Sequence, residues 1–385
     1  MAMKILHIGK FYPPFAGGME NFLADLLQAQ IKQGIDARAL VHDHRLPWQK
    51  HPDKEDKNIQ RVPCFGRLLY VPLSPQFPWY LHRAIQQFQP DILHLHLPNT
   101  SAFWVMTLAC AKKIPWVIHW HSDVVASQLD ARLSLGYPLY RPFEQALLKR
   151  AEIIIATSPT YLEASEALKP WHDKCHVVSL GLNTDTISQP SQSAKTWATQ
   201  QWQGTGLRLL NIGRLTYYKG QLQLITALAE VNNAQLLIVG KGENKATLQQ
   251  TLQTLSLQSQ VKLLGYCDDE HLIALLQSCD CFCLPSLERT EAFGVVLMEA
   301  MYQQKPIIAS NIKGSGVTWV VQAGKTGLLV DPFKPSHWQT AIEKMQNKNF
   351  RHQLAMMGKQ RFEQQFQIQQ VAQSIQDLYA IIFRS

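Results

Sequence analysis

No apolar run in this 385-residue chain reaches the roughly 18 to 20 residues that a membrane-spanning helix needs, and the opening MAMKILHIGK lacks the long apolar core of a secretory signal. A cytoplasmic location is the expectation. A disulfide framework is equally unsupported. The seven cysteines are an odd number, and Cys279, Cys281 and Cys283 alternate in CDCFCLPS as small buried residues of a strand do, so neither bridges nor a zinc knuckle is read there. The formal charge of +8 is not gathered into any basic run but scattered over both halves, which argues against a nucleic-acid partner. Anionic lipid headgroups or phosphorylated substrates fit that charge equally well.

With 46% hydrophobic and 17% charged residues, the chain is long enough for two domain-sized cores. Short β-rich runs alternate with helical stretches: KILHIG, DARALVH, DILHLHL, PWVIHWH and EIIIATS, then LRLLNIG, AQLLIVG, VKLLGY, CDCFCLPS, KPIIAS and TGLLVD. That alternation predicts an α/β chain of two successive, doubly wound parallel sheets. The polar stretch GLNTDTISQPSQSAKTWATQQWQGTG reads as a linker with no run that must be buried, and it sets the domains at residues 1–185 and 186–366. From Phe350 to Ser385 the spacing predicts helix throughout, with no strand after it.

Open parallel sheets bind ligands beyond the carboxyl ends of their strands. After the first strand, Gly17 and Gly18 precede the amphipathic MENFLADLLQAQI and open a helix end to an anion, or else form only a tight turn. This loop is not G-x-G-x-x-G, so a nicotinamide cofactor gains little support. After LRLLNIG, Arg214 and Lys219 stand five residues apart on one loop, a forked and a point cation suited to a diphosphate. After CDCFCLPS come Glu291 and then a helix expected to start near Phe293 or Gly294. Amides around Phe293 to Val295 suit a phosphate, Glu291 a sugar, and Glu299, farther along, a ribose diol.

These residues are similar to those of the retaining, nucleotide-sugar-dependent glycosyltransferases of family 4. The matching pieces are YPPFAGGMENFLADLL, DILHLHLP, HWHSD, AEIIIATSP, VVSLGLNTD, NIGRLTYYKG, LLIVGKGE, VKLLGYCDDEHLIALLQSCDCFCLPS, EAFGVVLME and VVQAGKTGLLVDP, in the family's order over residues 4–332. The resemblance implies a GT-B fold, two facing Rossmann-like domains with the terminal helix, residues 367–385, crossing back onto the first. It implies that Arg214 and Lys219 hold the donor diphosphate, Glu291 the sugar and Glu299 the ribose, with Phe293, Gly294 and Val295 supplying amides. His121 and Asp123 match its active-site histidine segment.

His119 with His121, and His94 with His96, share strand faces. That repeat raises a rival reading, a metal-dependent hydrolase using the four histidines and Asp123. An epimerase or phosphorylase of the same fold, or a noncatalytic nucleotide-sugar sensor, are further alternatives. The chain has no D-x-D triplet of the kind other glycosyltransferases use to bind metal, so no metal or other cofactor is expected: cations and helix dipoles would neutralise the leaving nucleotide. The expected donor is a GDP- or UDP-sugar, with the HSDVV context leaning to mannose and GDP. The expected acceptor is a cell-surface glycan or lipid-linked glycan precursor. Gly66 to Phe88, with Arg67, Trp79, Tyr80 and Arg83, suits either core helix plus loop or peripheral contact with an anionic membrane.

Overall fold

The computed structural model describes residues 2–15, 17–46, 56–68, 71–124 and 131–384, with only the backbone for 68 and 131–135. Residues 69 and 70 of the candidate membrane stretch and residue 125 of HSDVV lie outside the described residues.

The chain separates into two compact units, residues 1–182 with 368–385, and residues 183–367. In chain order the first unit holds β1 (Lys4–Ile8), β2 (Asp36–His42), β3 (Ile59–Val62), β4 (Arg67–Leu68), β5 (Val71–Pro72), β6 (Ile92–Leu97), β7 (Trp116–Trp120), β8 (Ile153–Ala156) and β9 (Cys175–Val177). β4 and β5 pair with each other, antiparallel, while the remaining strands form one parallel sheet in the order β3-β2-β1-β6-β7-β8-β9. The second unit holds β10 (Leu207–Ile212), β11 (Ala234–Val239), β12 (Val261–Gly265), β13 (Cys281–Leu284), β14 (Ile307–Ser310) and β15 (Gly327–Val330), parallel throughout in the order β12-β11-β10-β13-β14-β15. Strand order therefore reverses between β1 and β6, and again between β10 and β13. Crevices that bind ligands open at such reversals.

The central strands are near-continuous apolar runs because helices cover both faces of each sheet. Every residue of β6, β11 and β13 is buried. The edge strands β3 and β9, IQRV and CHV, carry no such signal and are only partly buried. They pair because a neighbouring edge offers free backbone groups, which sequence patterning does not report.

Two expectations need correction. The polar stretch read as a linker is an ordered part of the second unit: Ser191 caps the helix Gln192–Gln201, which buries Ala194 and Ala198 and packs on the helix Asp269–Ser278. Trp202, 7% exposed, closes the contact by donating from its indole to Ser278 Oγ at 2.9 Å. Two alanines at helical spacing and one tryptophan were enough to require burial. The terminal segment, in turn, is two helices rather than one, Lys348–Gln365 and Ile368–Ile382, broken at Phe366 (φ −125°, ψ 11°). Phe366 is buried in the second unit against Phe293, whereas Ile368 begins the return to the first.

The helix Ile368–Ile382 lies along the helix Gly18–Lys32 and buries Ile368, Val371, Ala372, Ile375, Leu378 and Tyr379. Its entry is fixed by the Ile368 amide donating to the Leu182 carbonyl and by Gly181, where a Cβ would sit 2.9 Å from the Ile368 Cα. Ile375 is fully buried, so Ile375→Ala should cost roughly 2 to 4 kcal/mol. Hydrogen exchange should quicken in β1, β6 and β7 and stay unchanged in β10 to β15; equal acceleration of both sheets would contradict a helix that belongs to the first unit.

Candidate active site

In the second unit the site begins where β10 and β13 end side by side. The loops beyond them are tied together: the Leu287 amide donates to the Tyr218 carbonyl at 2.7 Å. Gly220, at φ +66°, approaches Pro285 so closely that a Cβ would lie 1.9 Å from its carbonyl oxygen. Only glycine satisfies that conformation and that space. The tie carries Lys219, one residue earlier, to Glu291, with Nζ 2.5 Å from Oε2. Ser286 Oγ donates to the same carboxylate oxygen at 2.8 Å, and Ser315 Oγ donates to the Glu291 carbonyl. Burial pulls the Lys219 ammonium down, but the charge of Glu291, helped by Tyr218 and the hydrogen bond to Glu291, outweighs it and holds the lysine above its ordinary value. Arg214, exposed on the same loop, donates from Nη2 to Tyr218 Oη at 3.1 Å, and its carbonyl accepts from Gln221 Nε2 at 3.0 Å.

The loop after β13 then enters the helix Val295–Tyr302. Gly294 (φ +82°) is its N-cap and, having no side chain, closes no side-chain hydrogen bond over the first turn, where the Leu297 amide donates to the Gly294 carbonyl at 2.9 Å. Phe293 is buried edge-on to Phe366 and offers only its backbone. Glu299 is half-buried one turn into the helix, beside the buried Leu297, Met298, Ala300 and Met301. Arg214, Lys219, Glu291, Phe293, Gly294, Val295 and Glu299 thus occupy the two adjoining strand-end loops and the helix that one of them enters. Ser286, Ser315 and Tyr218 complete the set and were not foreseen, because no spacing links them to Glu291.

The first unit buries five histidines on one sheet face: His7 on β1, His94 and His96 on β6, His119 on β7 and His121 just beyond it. His94 and His96 stack at a 4.7 Å centroid distance, as do His119 and His121 at 4.5 Å. Burial holds every imidazole below its usual value, His7 at about 4 and His121 at about 3, with His94, His96 and His119 well below it. Asp123 Oδ1 accepts from the Trp120 indole at 2.8 Å and from Ser165 Oγ at 2.6 Å, and the Asp123 amide donates to Tyr161 Oη at 2.7 Å. Asp123 therefore anchors the segment that follows β7. Gly17 and Gly18 open the helix Gly18–Lys32, but the Glu20 carboxylate already lies against Gly17, where a Cβ would be 2.1 Å from its oxygen. An internal anion thus stands at the helix end that was read as open to a phosphate.

Residues 17–181 match the family model described as Glycosyl transferase 4-like domain, and residues 194–361 the one described as Glycosyl transferases group 1. The chain is 30% identical to the D-rhamnosyltransferase WbpZ of Pseudomonas aeruginosa, over 88% of this chain and 86% of that protein. This chain belongs to the family 4-type glycosyltransferases. It is also 28% identical to the O-antigen chain mannosyltransferase C of Escherichia coli, end to end in both. Among solved structures, sucrose-phosphate synthase from Thermosynechococcus elongatus superposes with a TM-score of 0.81 at 23% identity, over 99% of each chain. Anabaena Alr3699/HepE, solved with UDP and glucose, gives 0.75 at 21%, over 98% of this chain and 99% of that one. The fold of this glycosyltransferase is GT-B.

The rival hydrolase finds no support among these relatives. Two groups, His7 with His94 and His96, and His96 with His119 and His121, bring ring nitrogens within 4.8 Å of one another. Their planes, however, are stacked, 6° apart for His94 and His96 and 13° for His119 and His121, whereas a tetrahedral ion needs lone pairs that converge. His96 also spends both nitrogens on other histidines.

Neither nitrogen of His119 has a hydrogen-bond partner among the described residues. Its folded value lies below the ordinary 6.5, so between those values the unfolded chain binds a proton that the folded chain does not, and stability falls as pH drops below about 6.5. His119→Phe should match or exceed the parent in midpoint temperature at pH 7.5 and lose less of it at pH 5.5. A loss beyond about 2 kcal/mol at pH 7.5 would mean that His119 has a partner after all.

Proposed function

We propose that this glycosyltransferase moves a hexose of manno configuration from a GDP- or UDP-sugar to a cell-surface polysaccharide or glycolipid precursor, with retention at the anomeric carbon. The observation that carries the reading is the Lys219–Glu291 pair at the β10/β13 reversal, flanked by Arg214 and the open amides of the helix Val295–Tyr302. Two relatives are named for transfer of D-rhamnose and of mannose, and D-rhamnose is 6-deoxymannose. A solved neighbour is named for binding UDP and glucose, which supports a nucleoside-diphosphate donor.

On this reading the donor diphosphate meets Arg214, Lys219 and the amides of Phe293, Gly294 and Val295. The carbon–oxygen bond to the anomeric carbon breaks, charge builds on the β-phosphate, and these cations and amides stabilise it without a metal. Phosphate contact draws Lys219 from Glu291, whose carboxylate accepts hydrogen bonds from the sugar, while Glu299 accepts them from the ribose. The acceptor hydroxyl attacks the anomeric carbon and its proton passes to the departing phosphate. His121 positions a sugar hydroxyl, and Asp123 holds the loop that carries His121. On the helix Phe77–Phe88, Phe77, Leu81, Ala84, Ile85 and Phe88 face the core while Trp79, 55% exposed, and Arg83 face outward, an arrangement suited to a lipid-linked acceptor at an anionic surface of the cytoplasmic membrane.

A thermal-shift panel with GDP, UDP, ADP, NAD and zinc checks the donor class. One nucleoside diphosphate at 100 times its Kd should add about 2.7 kcal/mol to the parent and much less to Glu299→Ala, and acceptor-dependent release of that nucleotide should persist in EDTA. Stabilisation by zinc or NAD alone would overturn the reading.

Lys219→Met should lower kcat/KM about 10²- to 10³-fold and also destabilise the protein, because it leaves Glu291 without its partner. Adding Glu291→Gln should restore much of the stability and none of the turnover. Full activity in the double variant would remove the pair from the mechanism.

A further inference from the structure

Four of the five histidines do more than fill space: the hydrogen bonds of His7, His96 and His121 run in series from Gln30, and His94 joins through Tyr379. Gln30 Oε1 lies 2.7 Å from His7 Nε2, His7 Nδ1 lies 3.0 Å from His96 Nε2, and His96 Nδ1 lies 3.0 Å from His121 Nε2. At the other end of Gln30, Nε2 donates to Tyr379 Oη at 3.1 Å, and Tyr379 Oη bonds His94 Nδ1. The chain stops at His121 Nδ1, which is buried and has no partner among the described residues.

A neutral imidazole carries one N–H and one lone pair, and an amide oxygen only accepts. With Gln30 Oε1 facing His7, those two facts fix every proton in the series. Gln30 Oε1 requires the N–H of His7 at Nε2, which leaves His7 Nδ1 as an acceptor. His96 must then donate from Nε2 and accept at Nδ1, and His121 must donate from Nε2. The remaining nitrogen of His121, Nδ1, is left as a bare lone pair. The other branch agrees: Tyr379 accepts from the Gln30 amide and so gives its own proton to His94 Nδ1. Turning the Gln30 amide by half a rotation would reverse every bond in the series and make His121 Nδ1 a donor instead.

We propose that Gln30, acting through His7 and His96, sets the tautomer of His121, so that Nδ1 is presented as an acceptor to a hydroxyl of a sugar substrate. The role given to His121 rests on the function proposed above; the relay itself does not. His121 stands at the carboxyl end of β7, the end at which parallel sheets bind ligands. A hydroxyl there would satisfy an otherwise unpaired buried nitrogen. Gln30, His7 and His96 are then positioning residues: none touches substrate, and each acts through the next. Tyr379, on the helix Ile368–Ile382, is hydrogen-bonded to the Gln30 amide and so extends the network to that helix.

The test is imidazole nitrogen NMR on the full chain labelled with nitrogen-15 at histidine, with the His121 signal assigned by its loss in His121→Ala. The parent should show His121 protonated at Nε2 alone. Gln30→Glu, an acceptor that cannot turn over, should preserve that state, whereas Gln30→Met and His96→Phe should give mixed tautomers. In turnover, Gln30→Met should raise a substrate KM or lower kcat/KM about 3- to 10-fold, as expected for one mismatched neutral hydrogen bond, with Gln30→Glu restoring it. Gln30→Met with His96→Phe should be no worse than His96→Phe alone, because both break one series. Amide hydrogen exchange in β1, β6 and β7 serves as the control for folding of the first unit. A His121 tautomer unchanged in Gln30→Met, or protonated at Nδ1 in the parent, overturns the relay whatever the enzyme transfers. A changed tautomer with unchanged kinetics leaves the relay standing and overturns the contact between His121 and the sugar.

Discussion

A parallel sheet covered on both faces by helices leaves almost no place inside for a group that needs water, and that constraint shapes both units of this protein. Every residue of β6 is buried, including His94 and His96. Burial at that depth makes a charged imidazole too costly, so the histidines remain neutral and find partners among themselves, in Gln30 and in Tyr379. The packing of the helix Ile368–Ile382 and the proton positions around His121 are thus parts of one arrangement. The segment that closes the chain is tied to a residue more than 250 positions earlier because the same core contains both.

In the second unit the same constraint sends charge outward, to the ends of β10 and β13. Lys219 and Glu291 meet there with side chains only 15% and 10% exposed. A pair so shielded gains little over an apolar pair of equal volume, because the desolvation of both ions offsets most of their attraction. Folding alone therefore gives weak reason to keep it. Its geometry is nonetheless fixed twice, by the backbone bond from Leu287 to Tyr218 and by the close passage of Gly220 under Pro285, which is the investment expected of a site rather than of a surface contact.

Much of this was legible in the sequence, for reasons that can be named. The central strands announce themselves because burial on both faces demands unbroken apolar runs, as in DILHLHL and AQLLIVG. Arg214, Lys219, Glu291 and Glu299 are singled out by sequence because strand ends are where chemistry collects and because their types suit phosphate and hydroxyl groups, and the structure sets them on the loops after β10 and β13 and the helix that follows. The edge strands IQRV and CHV were not legible, since their pairing is a backbone event. Trp202 was hidden in a polar stretch, and the break at Phe366 in an otherwise helical pattern, because each depends on a surface supplied by residues far away in the chain. The partners of each site residue were hidden for the same reason. Nothing in the spacing from Lys219 to Glu291, or from His7 to His96, says that their atoms touch.

On the proposed reading, charge at the ends of β10 and β13 links the two recognition tasks that a sugar donor poses. In the structure the Lys219 ammonium is committed to a carboxylate, and Arg214, exposed on the same loop, carries a planar fork that can grip an anion at two points. On the proposed reading Lys219 gives up Glu291 only to a stronger anion in the same place, and a phosphate, with more charge and more oxygens, is that anion. Once displaced, Glu291 is a shielded carboxylate held by Ser286 and by its backbone bond to Ser315, and it lowers its own energy by accepting hydrogen bonds from the nearest hydroxyls. On the proposed reading those hydroxyls belong to the sugar carried on that same phosphate. A nucleotide without its sugar would then break the ion pair without supplying the replacement bonds, so the enzyme would favour the intact donor over its product through the carboxylate that the phosphate sets free.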